Sequence, residues 1–163
     1  MLLRLKNKEY LIVDEFKFKC SIGKKGLKSK KTEGDHCTPI GVFKIGRVYY
    51  RPDRIKKPDT SLKTKKITKK MGWCDDAYSK NYNKEIVLNK KNKGEKLFRK
   101  DNTYDILIVI EYNTNKIKPF KGSAIFIHLT KNYKPTAGCI ALKKKDFLIL
   151  LKLIKKNSKI KIF

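Results

Sequence analysis

Residues 125–142 read IFIHLTKNYKPTAGCIAL. The apolar run spanning residues 123–129 predicts a strand that carries His128 at its end. A loop with Pro135 and Gly138 follows, and residues 139–142 return to an apolar segment. A cysteine nucleophile needs a base to take its proton and backbone donors to hold the oxyanion formed at the attacked carbonyl. His128 at a strand end can turn its ring toward a cleft. Cys139 comes eleven positions later, after a loop able to fold the thiol back toward the imidazole. Gly138 permits a positive φ, which would aim the Gly138 and Cys139 N–H groups at one point as an oxyanion hole. Each residue also has an ordinary role open to it. A cysteine on an apolar strand is often a small buried hydrophobe, and a histidine is often a hydrogen-bonded structural residue.

Working outward, strands dominate. Residues 104–112 form a nearly continuous apolar run, expected as a central strand buried on both faces. Phe16, Phe18, Cys20 and Ile22 alternate with polar residues, the period of a half-buried strand; residues 2–5, 10–13 and 40–50 are further candidates, the last starting after Pro39. Residues 23–38 make a polar loop punctuated by glycine. Residues 51–70, with nine Lys or Arg, are expected as a solvated basic loop, and residues 71–82 as irregular. A short helix is expected over 95–100. The clear helix is 143–156, where Phe147, Leu150, Leu151 and Ile154 share one face and lysines the other. Ile160, Ile162 and Phe163 suggest a closing strand. The expected fold is α+β but mainly β: one domain over 1–163, a sandwich or barrel with a single main helix near the C-terminus.

The 163 residues suffice for a genuine core, and 40% are hydrophobic. The net charge of +27 should draw polyanions: nucleic acid, an anionic membrane face or an acidic wall polymer. The excess is nearly all lysine and runs along the whole chain, as a lysine-rich composition alone would produce. Stacking motifs of RNA-binding domains are absent, so no specific nucleic-acid function is expected. The first residues lack an uninterrupted apolar h-region, so no secretory signal is expected, and no run approaches the length of a membrane span. Cys20, Cys37, Cys74 and Cys139 form no CxxC pair, and two histidines supply no zinc-ligand spacing. No metal or cofactor is expected, and three of the cysteines are expected as separate buried thiols rather than a disulfide.

The segments IFIH and PTAGCIAL resemble the signature of the L,D-transpeptidase catalytic-domain family, the YkuD-like fold, in which a His precedes a Ser/Thr-x-Gly-Cys loop. EGDHCTPIGVFKI, RVYYRPDR, GWCDDAYSKNYNKEIVL and YDILIVIEYN extend the resemblance over residues 24–163. A β-rich sandwich or barrel is the implied fold. The implied chemistry is transfer through a thioester: His128 takes the Cys139 proton and the thiolate attacks the amide after the third residue of a peptidoglycan stem peptide. D-alanine then leaves, and an amine or water resolves the thioester. The resemblance implies substrate-side roles for Thr136, Thr38, Gly41, Tyr82 and Asn83, with Pro39 near the cleft and Asp76 a weaker candidate. It makes His36 a loop residue. Members commonly carry a second His two positions before the cysteine, where this chain has Ala137, so proton chemistry falls on His128 alone. The family's site of action is the periplasm or envelope. Two alternatives stand beside transfer: an L,D-carboxypeptidase-type hydrolase on the same scaffold, and a non-catalytic basic module that binds an anionic polymer.

Overall fold

The computed structural model describes residues 1–29 and 31–163; Lys30, within the expected polar loop, lies outside the described residues. Fourteen strands and one helix follow in chain order. The strands are β1 (Leu2–Lys6), β2 (Tyr10–Val13), β3 (Phe16–Ser21), β4 (Leu27–Lys28), β5 (Thr38–Pro39), β6 (Gly41–Tyr50), β7 (Thr64–Lys66), β8 (Met71–Trp73), β9 (Glu85–Val87), β10 (Glu95–Lys96), β11 (Ile106–Ile110), β12 (Phe126–Leu129), β13 (Ile140–Leu142) and β14 (Lys159–Ile162). The helix, α1 (Lys144–Leu153), lies between β13 and β14.

Nine strands pair in the order β11-β12-β13-β3-β2-β1-β14-β6-β7, and β11 also pairs with β6. That last pairing closes every strand but β7 into a barrel, which removes the open edges of a flat sheet. A bulge between Ile108 and Ile110 lets β11 follow the bend of β6. The mainly β barrel with one helix is the expected fold class.

Two apolar clusters explain the sequence patterns. Ile106, Ile108, Ile110, Ile127, Leu129, Ile140 and Leu142 point into the barrel, where Phe147, Leu150, Leu151 and Ile154 of the helix segment join them. Leu107, Val109 and Phe126 point outward, yet they are buried under a second layer. That layer is the three-stranded sheet β10-β8-β9, which brings Met71, Trp73 and Leu97. The β11 strand therefore reads as continuously apolar because both its faces are covered.

The helix expected over 95–100 is a correction. Glu95 and Lys96 form β10 against Trp73 and Gly72 of β8. Six residues are too few for a helical period to declare itself, and cross-strand pairing with burial of Leu97 decides the conformation. Residues 51–70 include β7, parallel to β6, and the segment expected as irregular begins with β8. Among the described residues all four cysteines are free and buried. Among the described residues no helix is long and apolar enough to cross a membrane.

Candidate active site

The register of β12 and β13 builds the site. They run parallel with His128 opposite Ala141 and Ile127 opposite Ile140. Side chains alternate, so Ile127 and Ile140 enter the barrel while His128 and Ala141 face the covering layer, and Cys139 joins the outward cluster. His128 and Cys139 are thus diagonal neighbours on one face, with Cα atoms about 8 Å apart by strand spacing and rise.

Cys139 is 7% exposed. Its thiol donates to the Ala124 carbonyl at 3.2 Å, and the Phe126 N–H donates to Sγ at 3.3 Å. Burial pushes the thiol up to about 12, and the Glu95 carboxylate adds to the effect. His128, also 7% exposed, holds Nδ1 2.9 Å from the Leu129 carbonyl. A carbonyl only accepts, so Nδ1 carries the proton and Nε2 presents a lone pair, the tautomer a base needs. Burial lowers His128 to about 4 despite that bond. Both groups rest neutral at pH 7, and among the described residues no hydrogen bond joins them.

The Tyr104 ring meets His128 edge-on at 5.4 Å, and its hydroxyl donates to Glu95. Burial raises Glu95 and lifts Tyr104 well above the phenol range, Tyr104 being raised further by Cys139 and Glu95. Trp73 and Tyr104 both pack edge-on against Phe126, at 5.2 and 5.8 Å. Sequence patterns gave no sign of Tyr104, Glu95 or Trp73 at the site, because the turn carrying Tyr104 and the short strands carrying the other two meet β12 only in three dimensions. A cavity of about 660 Å³ opens beside the pair, lined by His128, Thr136, Ala137, Ala141 and Lys144; it stops short of Cys139.

Gly138 has φ of +144°, and a Cβ there would sit 2.8 Å from the Cys37 carbonyl oxygen. Both conformation and space call for glycine. Its N–H donates to Thr136 Oγ1 at 3.1 Å, which corrects its expected place as an oxyanion donor. Thr136 Oγ1 in turn donates to the Cys139 carbonyl at 2.6 Å, so Thr136 braces the loop before Cys139 from within while also lining the cavity.

Other residues expected on the substrate side have structural work instead. Thr38 has no exposed surface: its hydroxyl donates to the Gly138 carbonyl at 2.8 Å and accepts from the Gly23 N–H at 2.9 Å. It thereby reaches the loop before Cys139 from a position with no exposed surface. Asn83 spends all its amide atoms. Its oxygen accepts from Trp73 Nε1 and the Ala124 N–H, and its nitrogen donates to the Tyr112 and Asn113 carbonyls. It thereby holds Ala124, at φ of +51°, where its carbonyl meets the thiol. Tyr82 is buried, accepts from the Gly122 N–H and donates to Glu33, which also accepts from Ser123. Gly41 lies at the start of β6 opposite Ile162, where a Cβ would strike the Phe43 ring. Pro39 is buried in β5, and Asp76 caps a turn through the Tyr78 N–H. His36 is an exposed loop residue with φ of +57°. Among the described residues no group of three or more His, Cys, Asp or Glu could hold a metal ion.

Comparison with known proteins follows the same lines. No curated protein matches the sequence. Among solved structures, Bd1075 of Bdellovibrio bacteriovorus aligns over 99% of this chain and 47% of its own, with TM-score 0.51 and 14% identity. The helical cell shape determining protein Pgp2 from Campylobacter jejuni aligns over 99% and 46%, with TM-score 0.48 and 19% identity. The chain spans about half the length of these structures, and the first likeness is one of fold. The model of the L,D-transpeptidase catalytic domain, YkuD, matches residues 2–162. The chain belongs to that family.

Proposed function

We propose that the chain is a cysteine-dependent L,D-transpeptidase that acts on peptidoglycan stem peptides through a thioester on Cys139. One observation carries the proposal: His128 and Cys139 share a face of adjacent strands, with the imidazole held in the tautomer that leaves Nε2 free to accept a proton. Family membership supplies the reaction class.

In this scheme substrate entry displaces the thiol from the Ala124 carbonyl toward His128. Nε2 takes the S–H proton as Sγ bonds to the carbonyl carbon after the third stem residue. The Cys139 N–H is the loop's donor to the oxyanion, since the Gly138 N–H is engaged by Thr136. When the C–N bond breaks, His128 returns the proton to the departing amine of D-alanine. An acceptor amine then attacks the thioester, loses its proton to His128 and frees the thiol. The buried resting pair is neutral on both sides, so thiolate forms only as the substrate arrives.

The test is incubation with purified muropeptides, read by intact-protein and product mass spectrometry. The wild-type chain should show a Cys139 acyl adduct, D-alanine release and a cross-linked product; Cys139→Ala should show none of them. D-alanine release that survives Cys139→Ala would sink the proposal. Release from the wild type without a cross-linked product would identify a hydrolase on the same site.

A further inference from the structure

One wall of the barrel is covered by nothing among the described residues. It runs over β3, β2, β1, β14 and the first half of β6, and its cross-strand register is continuous. One row of outward side chains reads Lys17, Ile12, Arg4, Lys161 and Val42. The next begins Lys19, Tyr10 and Lys6, and a third reads Leu2, Lys159 and Lys44. These five strands contain no Asp or Glu at all. The carboxylates of this region sit at its margins, Glu9, Asp14 and Glu15 in the hairpin turns at the strand ends and Glu111 beside Gly46 of β6. None of the basic side chains in these rows takes part in an ion pair among the described residues.

Apolar side chains stand among the cations: Val42 is 55% exposed, Phe163 60% and Leu2 36%. A recess lined by Arg4, Lys6, Lys8, Ile12 and Phe163 indents the same wall. In the ring of strands, β1 and β14 are as far from β12 and β13 as the ring allows. The basic wall therefore backs directly onto the side away from Cys139.

We propose that this wall docks the protein on an anionic lipid bilayer surface, with the catalytic side turned away from the membrane. Charge complementarity selects an anionic partner. The mixture of exposed apolar and basic residues on a broad sheet selects a bilayer, where lysines meet headgroup phosphates and Val42, Leu2 and Phe163 enter the acyl boundary. A single-stranded nucleic acid would add base stacking on open ring faces to its phosphate contacts. Here Lys17 Nζ covers the Tyr10 ring at 4.0 Å and Lys161 Nζ the Phe163 ring at 4.7 Å. The proposal stands apart from the catalytic one, since Arg4, Ile12, Lys161 and Val42 lie on strands that pair with neither β12 nor β13, and only Lys19 at the wall's edge reaches the loop before Cys139, over the Tyr133 ring.

The experiment is co-sedimentation with phosphatidylcholine vesicles, with and without phosphatidylglycerol, beside titrations with a single-stranded oligonucleotide and with polyphosphate. One variant carries Arg4→Glu, Lys17→Glu and Lys161→Glu. A charge-matched control carries Lys69→Glu, Lys91→Glu and Lys93→Glu, all at exposed positions away from the wall. Urea unfolding of each variant verifies the fold. The wild type should pellet only with phosphatidylglycerol. At about fivefold per basic residue near an anionic surface, the wall variant should bind roughly a hundredfold more weakly or worse, and the control should stay near wild type. Val42→Ser with Phe163→Ser should weaken vesicle binding and leave oligonucleotide and polyphosphate binding unchanged. Absence of vesicle binding overturns the proposal, as does equal loss in both triple variants or indifference of vesicle binding to Val42→Ser with Phe163→Ser. Acylation of Cys139 should be the same in all variants, so failure here and failure of the catalytic proposal are read separately.

Discussion

The wall built from β11, β12 and β13 and the wall built from β1 and β14 enclose the same core, yet their outward positions hold opposite chemistry. On the first, Leu107, Val109, Phe126, His128 and Cys139 lie under Trp73, Leu97 and Tyr104. On the second, Arg4, Lys6, Lys159 and Lys161 meet solvent. A small covering sheet makes the difference. It excludes water from the thiol and the imidazole, which drives both toward their neutral forms and sharpens every dipole aimed at them. A bare wall cannot shift a titration in that way, and it serves by its net charge.

The comparison is broken most forcefully by uncovering the first wall. Trp73→Ala should cost about 4 kcal/mol in urea unfolding, because a buried indole packed against Tyr49 and Phe126 is lost together with its bond to Asn83. It should also let a thiol reagent alkylate Cys139 faster, and an unchanged rate would show that the small sheet is not the cover. Asn83→Ala should cost roughly 3 kcal/mol, since the donors and acceptors it satisfies at Trp73, Ala124, Tyr112 and Asn113 are left unpaired.

Acid should act on the covered wall alone. His128 has a folded value of about 4 against an ordinary 6.5, so the unfolded chain binds the extra proton between those values. Stability present above pH 6.5 is therefore lost as pH falls through about 4, by up to about 3 kcal/mol. Urea midpoints across that window should drop less in His128→Asn than in wild type. A more local effect sharpens the picture. Thr38→Val should lower turnover with KM little changed and cost about 1 kcal/mol, and Thr38→Ser should restore both. A change confined to KM would return Thr38 to the substrate side. Smallest of all, Lys159→Ala on the bare wall should stay within about 0.5 kcal/mol of wild type.

Local patterns carried much of the architecture. The apolar faces of β1–β3, the doubly buried β11 and the apolar face of the helix segment are written within a few residues each. The covering sheet was not legible, because its strands are two or three residues long and gain their definition only by pairing with one another. Barrel closure was equally hidden, since β6 meets β11 across about sixty residues of sequence. At the site, the nearness of His128 and Cys139 in sequence exposed the pair. Thr38, Tyr82 and Asn83 drew notice as residues, but their roles depend on Gly138, Gly122 and Ala124, partners that spacing could not supply.

The parallel pairing of β1 with β14 sets Leu2 beside Lys159, so the barrel's first strand in sequence shares its ladder with its last. On a ribosome, β1 and β2 can form their hairpin at once, but the free edge of β1 must wait until residues 159–162 have emerged. Until then Leu3 and Leu5 lack the neighbours Ile160 and Ile162 that complete their burial. Folding of this barrel is therefore expected to finish only after β14 has been made, at a rate governed by long-range loop closure. A nascent chain stalled before Lys159 would present an unpaired strand edge, the kind of surface that chaperones shield and aggregates recruit.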